Sequence, residues 1–175
     1  IDYGKGKKIN VEFVSANPTG PIHIAHVRGA VLGDVISSIL QKTGFKVTRE
    51  FYVNNAGSQI DILGNSLYKR YCELFNIVVE FKDNEYPGEY LIEIAKNIKK
   101  EDKNKWIEED NDKALKYFKN YAVNNIINSI KKDLKLLNIN FDIYTFESEI
   151  VKSKIIDQLF ELLEKKNLIY EGYLE

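Results

Sequence analysis

Residues 11–34 read VEFVSANPTGPIHIAHVRGAVLGD, and their order of patterns decides the fold. Just before and into this stretch, Ile9, Val11 and Phe13 alternate with Asn10 and Glu12, the period of a strand. Pro18, Gly20 and Pro21 then crowd into a few positions and mark a turn-rich loop. From His26 to about Thr43 the apolar residues Val27, Ala30, Val31, Val35, Ile39 and Leu40 fit one helical face, and Gly44 sits where such a helix would end. Working outward, a second alternating run lies between Phe45 and Val53, through Val47, Phe51 and Val53. The NNAG at 54–57 then opens another helical pattern, with Ile60, Leu63, Leu67, Tyr71 and Leu74 at its spacing. Strand, helix, strand, helix predicts an α/β fold, the opening of a doubly wound parallel sheet.

The rhythm breaks at about Ile77. Residues 77–113 hold Pro87-Gly88 and the charge-rich KNIKKEDKNKWIEEDNDK with a single tryptophan, Trp106, and are expected to be a mostly helical insertion. This divides the chain into 1–76, the first half of a nucleotide-binding domain, the insertion at 77–113, and a return to that domain over 114–175. Within the return, a long helix is predicted from about Ala114 to Leu137 on the stripe Val123, Ile126, Ile127, Ile130, Leu134 and Leu137. FDIYTF at 141–146 reads as a third strand. Residues 151–166 read as a helix buried along Val151, Ile155, Leu159 and Leu162, and LIYEGYL at 168–174 as a further strand or hairpin arm.

Composition narrows the function classes. The 175 residues are 44% hydrophobic and 29% charged with a formal net charge of −1, so no overall basic field draws the chain onto nucleic acid. One cysteine, Cys72, excludes an internal disulfide framework, and two histidines are too few for the usual zinc sets, so no metal site is expected. No apolar run approaches the roughly 18 residues that span a bilayer, and Ile1-Asp2-Tyr3-Gly4 lacks the features of a signal peptide. A cytoplasmic protein is the simplest expectation. The sequence contains no methionine at all, which leads us to expect a piece of a longer chain.

The chemistry concentrates in the quoted stretch. His23 and His26 are the only histidines, one in the loop and one at the mouth of the first helix. Open parallel sheets bind ligands beyond the carboxyl ends of their strands, and a helix N-terminus presents free N–H groups to phosphate. Two imidazoles there can donate to a phosphate as its charge shifts during attack at phosphorus; the alternative is that a histidine merely starts the helix. Glu12, between Val11 and Phe13 near the end of a strand taken to be central, is costly to bury without a cation. Its alternative is an edge-strand carboxylate facing water. Ser15 and Asn17 add short hydrogen-bonding groups to a loop stiffened by Pro18 and Pro21. Gly29, Gly33 and Ser37 form a small-residue helix face, more often used for helix-to-sheet packing than for a ligand. Cys72 reads as a small packed side chain, Trp106 as an anchor for the insertion, and the lysines at 96–105 as solvated.

These residues also match a family. HIAH at 23–26 resembles the His-Ile-Gly-His signature of class I aminoacyl-tRNA synthetases, a tetrad shared with nucleotidylyltransferases. Its surroundings are more specific. VEFVSANPTGPIHIAHVRGAVLGD, GFKVTREFYVNNAGSQI, FDIYTFESE and KKNLIYEG all resemble, in order, landmarks of bacterial-type arginyl-tRNA synthetases, so the resemblance covers essentially the whole chain.

The resemblance implies a Rossmann-like catalytic domain that activates L-arginine with ATP, releases pyrophosphate, and passes arginine to tRNA(Arg). By position it implies that His23, Ala25, His26 and Gly29 face ATP, with His23 and His26 catalytic. Glu12 would then hold the guanidinium, and Ser15, Asn17 and Gln59 the rest of arginine, with Asn55 and Gly57 lining the same cavity. Mg²⁺ is expected with ATP, without an identified protein ligand, and tRNA contacts are expected mainly from domains outside this chain. Alone, these residues are expected to be an inactive half-site. Three positions depart from the pattern: Ala25 replaces the signature glycine, Gly20 stands where one branch carries a lysine, and Asn55 replaces a frequent acidic residue. The lysines of a downstream Lys-Met-Ser-Lys-Ser loop, absent here, would supply the missing charge. The competing classes are a nucleotidylyltransferase, whose usual Gly-x-Phe-Asp-Pro type turn is not found in ANPTGPIH, and a non-catalytic synthetase-like binding module.

Overall fold

The computed structural model describes residues 2–172. Strands β1 (Lys8–Glu12), β2 (Lys46–Val53) and β3 (Ile143–Phe146) form one sheet in the order β1-β2-β3. All pairs are parallel, with Glu12 opposite Glu50 and Val53 opposite Phe146. Helix α1 (Ile24–Lys42) joins β1 to β2. Between β2 and β3 come α2 (Ser58–Glu73), α3 (Tyr90–Asp102), the short α4 (Lys105–Glu108) and α5 (Asn111–Leu136), and α6 (Glu147–Lys152) and α7 (Ile155–Lys165) close the series. No helix among the described residues is long and apolar enough to cross a membrane. The expected α/β parallel sheet is therefore present.

Strand order that advances in one direction, combined with right-handed parallel crossovers, places both connections on the same face of the sheet. Side chains agree. On the covered face, Arg49 Nε lies 3.3 Å from Asp34 of α1, and Lys131 Nζ of α5 lies 3.9 Å from the centre of the Tyr144 ring. Phe51 and Val53 are fully buried there. The opposite face is polar: Asn10 and Thr145, on the two outer strands, both donate to the Glu50 carboxylate between them.

Two expectations about this sheet are corrected. Among the described residues β1 is an edge strand rather than a central one, and Glu12 is exposed. The apolar stripe proposed for α1 is buried at Ala30 but not along its length. The buried residues of α1 are Ala30, Gly33 and Ser37, whereas Val31, Val35 and Ile39 are exposed. Phe13 explains this: a Cβ on Gly33 would stand 2.2 Å from Phe13 Cγ, so only a face of minimal side chains can lie on that ring. The small-residue face is thus a packing surface at Gly33 and Ser37, while Gly29 faces open space.

The helical layer is built as its periodicity predicts. Ile60, Leu63, Leu67 and Tyr71 of α2 meet Ile126, Ile127, Ile130 and Leu134 of α5 in one continuous core; Leu137, at the end of the predicted stripe, is exposed. Segment 77–113 adds Leu91, Ala95, Ile98 and Trp106 to that core. Trp106 stacks on Tyr117 at 4.1 Å and donates to Asp102, an anchor as anticipated. Burial raises the Cys72 thiol pKa, in keeping with a packed role. Lys99 is not merely solvated, because its ammonium caps the Leu74 carbonyl at 2.6 Å beside the Phe75 ring.

The end of the chain departs most from expectation. The single helix at 151–166 is two, interrupted where Lys154 adopts φ +57 and breaks the intrahelical ladder. Val151, Ile155, Leu159 and Leu162 are about half exposed instead of buried, because nothing among the described residues covers them. Residues 168–172 form no strand, and the rest of the predicted arm, 173–174, lies outside the described residues.

Candidate active site

The loop from Phe13 to His23 leaves the carboxyl end of β1 by an unusual path. Val14 and Ser15 take φ +65 and +41, the left-handed region that β-branched valine strongly avoids. Such conformations persist only where surroundings over-determine them. Here Phe13 is still paired to β2, donating its N–H to Glu50 O at 3.2 Å, so the chain must turn at once. The turn brings Ser15 Oγ back between two partners. It donates to the Glu12 carboxylate and accepts the Tyr52 N–H at 3.0 Å. Glu12 and Ser15, predicted together, are therefore joined. Glu12 has no ion-pair partner among the described residues.

A second pair sits beside the first. Asn17 Nδ2 donates to Gln59 Oε1 at 3.2 Å, linking the loop after β1 to the first turn of α2. Beyond Asn17 the chain tightens, with Thr19 N–H bonded to Asn17 O at 2.8 Å and Pro18 fully buried. The loop then reaches α1, where His23 is the N-cap residue with extended backbone (φ −126, ψ 177).

The histidines form the third pair. Their ring centres are 3.9 Å apart, and His23 N–H donates to His26 Nδ1 at 3.3 Å. That bond makes Nδ1 the acceptor and leaves the proton on Nε2, free to donate outward. Burial first, and then the neighbouring His23, lower the His26 pKa below its usual 6.5, so the ring is a neutral donor at neutral pH. His23 and Ala25 are exposed and His26 is half-buried at the helix mouth, where unpaired N–H groups also point. Nothing lies within 4 Å of the position a Cβ on Gly29 would take.

Each pair has at least one member on or beside the loop from β1 to α1, and the three are not hydrogen-bonded to one another. Asn55, expected to line the cavity, instead turns to β3's end: it donates to Ser148 Oγ at 2.9 Å and accepts Ser148 N–H at 3.0 Å. Gly57 and Gln59 line a hollow of about 240 Å³ with Asn54, Ala56 and Ser58, and Glu12, Ser15, Asn17 and the histidines are not part of it. Glu147, which the sequence reading does not single out, lines this hollow as well. It directly follows the predicted strand FDIYTF, and the rule that ligands gather at strand carboxyl ends would have flagged it. A wider groove of about 340 Å³ lies behind the loop, touching Pro21, Tyr90, Ile94 and Lys132, and includes none of the predicted site residues.

Residues 1–173 match the family described as tRNA synthetases class I (R), catalytic domain. The chain is 45% identical over its full length to an arginine-tRNA ligase of Wolbachia pipientis wMel and 44% to one of Ehrlichia chaffeensis, spanning 30% of each relative's length. A crystal structure from Campylobacter jejuni, of a protein described as an arginyl tRNA synthetase, superposes with a TM-score of 0.84. It is 32% identical, over 98% of this chain and 37% of that one.

Proposed function

Since the chain belongs to the catalytic-domain family of class I tRNA synthetases (R), we propose that the protein is an arginine-tRNA ligase and that this loop is its arginine and ATP site. In the first step a carboxylate oxygen of L-arginine attacks the α-phosphorus of ATP. The bond from that phosphorus to the bridging oxygen breaks and pyrophosphate leaves, giving arginyl-adenylate. In the second, a hydroxyl of the terminal ribose of tRNA(Arg) attacks the acyl carbon and AMP departs, the hydroxyl proton passing to solvent.

The residues divide this work by charge. His23 and His26, with the N–H groups of α1, donate to phosphate oxygens where negative charge gathers, the contribution that most accelerates such displacements. Ala25 and Gly29 let the nucleotide lie close to α1. Ser15, Asn17 and Gln59 orient arginine through hydrogen bonds, and Glu12 takes its guanidinium, whose planar fork matches a carboxylate. Mg²⁺ accompanies ATP on its phosphates. Contacts to tRNA(Arg) come mainly from parts of the enzyme outside this chain, and the enzyme is read as cytoplasmic. Within the chain, residues 1–76 and 114–175 supply the nucleotide-binding half and residues 77–113 an insertion into it.

The observation that supports this reading best is Glu12: a carboxylate held in place by Ser15, with no cation of the described chain paired to it. Arginine-dependent exchange of pyrophosphate into ATP, measured on the full-length protein with arginine and with its uncharged isostere citrulline, tests it. Arginine should support exchange and citrulline should not. Glu12→Gln should raise the KM for arginine well above that for ATP; equal effects on both would return Glu12 to a water-facing structural residue.

A further inference from the structure

The predicted site residues occupy a loop whose middle, Pro18 to Pro21, contains no catalytic group, yet this is where the insertion reaches it. Tyr90, the first residue of α3, donates its hydroxyl to the Thr19 carbonyl. Its ring also lies along Gly20, where a Cβ would stand 3.6 Å from both Cζ and the hydroxyl oxygen. The approach is prepared on the tyrosine's own side. A Cβ on Gly88 would fall 2.3 Å from Tyr90 Cε1, so only glycine lets the ring fold back over that turn. Leu91, next along α3, is fully buried, which fixes the base of the side chain.

We propose that Tyr90 is a positioning residue for catalysis: through Thr19 it sets the loop that carries Asn17 on one side and His23 and His26 on the other. This rests on the ligase reading above. Thr19 is well placed to transmit the constraint, since its N–H is bonded to Asn17 O at 2.8 Å while its carbonyl is held by Tyr90. One peptide unit on each side of Thr19 is thus tied, two residues from the proposed arginine contact and four from the first histidine. Burial, and to a lesser degree Tyr86, push the Tyr90 pKa up to about 12, so the hydroxyl remains a donor throughout the physiological range. The insertion thereby acquires a role in the reaction without touching a substrate: it sets how the phosphate donors are aimed, and misplacement of such groups by about 1 Å can cost ~10²-fold in rate.

The test uses the full-length protein and Tyr90→Phe, which keeps the ring and its packing and removes only the donor. Pyrophosphate-exchange kcat should fall about tenfold, with a smaller change in either KM and little change in Tm. Tyr121→Phe, which loses a long, exposed contact to Glu101 (3.4 Å) and a side-chain contact with Asn125, away from the loop, should leave kcat unchanged. Combining Tyr90→Phe with His26→Ala separates positioning from general structure. If Tyr90 acts by aiming the histidines, its tenfold effect should largely vanish once His26 is gone. Full kcat in Tyr90→Phe, or a loss that is undiminished in the His26→Ala background, would overturn the proposal. A wild-type protein without arginine-dependent exchange in the presence of tRNA(Arg) would instead overturn the ligase reading itself.

Discussion

Asn17 Nδ2 donates to Gln59 Oε1 at 3.2 Å, and this one bond ties the loop that follows β1 to the helix that follows β2. The two residues lie 42 apart in sequence. Their meeting makes a single polar wall from two separate strand ends. Gln59→Ala should leave Asn17 free to rotate, raising the KM for arginine several-fold, by the ~1 kcal/mol that a positioned hydrogen bond contributes. The KM for ATP should hardly move, and steady-state exchange kinetics with each substrate varied in turn will show whether the two separate.

His26→Ala should act on turnover instead of binding. Removing a donor aimed at developing charge costs about 10²- to 10³-fold in kcat, while arginine affinity, measured by calorimetry, should remain near wild type. An unchanged kcat would mean that the histidine pair only starts the helix.

Gly33 and Gly29, one helical turn apart, should respond in opposite ways. Gly33→Ala drives a methyl group into the Phe13 ring and should destabilise the protein by about 2 kcal/mol, as overpacking does. Gly29→Ala meets nothing within 4 Å and should gain roughly 0.5 to 1 kcal/mol from helix propensity. Urea melts will read both. If the nucleotide approaches α1 at Gly29, the same stabilised variant should show a raised KM for ATP.

Stability should fall on the acid side through Glu50. Its pKa is lowered below 4.5 chiefly by the Thr145 hydroxyl and then by Asn10, outweighing partial burial. A carboxylate with a depressed folded-state pKa contributes stability that is complete above its unfolded value and is lost as pH falls through the folded one. Denaturation midpoints should therefore drop as pH is lowered below about 4.5. Thr145→Val should raise the Glu50 pKa, followed by NMR titration, and shrink that drop.

The fold was legible wherever local pattern and final environment agree. Val47, Phe51 and Val53 alternate because one side of β2 meets the core, and the α2 and α5 stripes became the buried faces that their spacing required. The histidine pair was equally legible, since a loop between strand and helix can lead only to a helix mouth. Patterns misled where burial depends on a partner far along the chain. In α1 the large apolar residues outnumber the small ones, yet Ala30, Gly33 and Ser37 are the buried ones, and Gly33 lies directly on the Phe13 ring. Periodicity measures which residues share a face, but which face turns inward is set by the shape of whatever lies opposite.

By itself, then, the sequence determined the class of fold, its order of elements as far as β3 and the set of polar groups gathered after β1. Local propensities and short-range spacing are enough for these. Tertiary structure alone decided that β1 is an edge among the described strands, that Glu12 is exposed and held by a left-handed turn at Val14 and Ser15, and that Asn55 serves Ser148 while Gln59 serves Asn17. It also decided that Tyr90 reaches Thr19 across 71 residues. The Asn55, Gln59 and Tyr90 contacts join segments whose separation in sequence carries no local signal, so they exist only once packing has fixed where the segments meet.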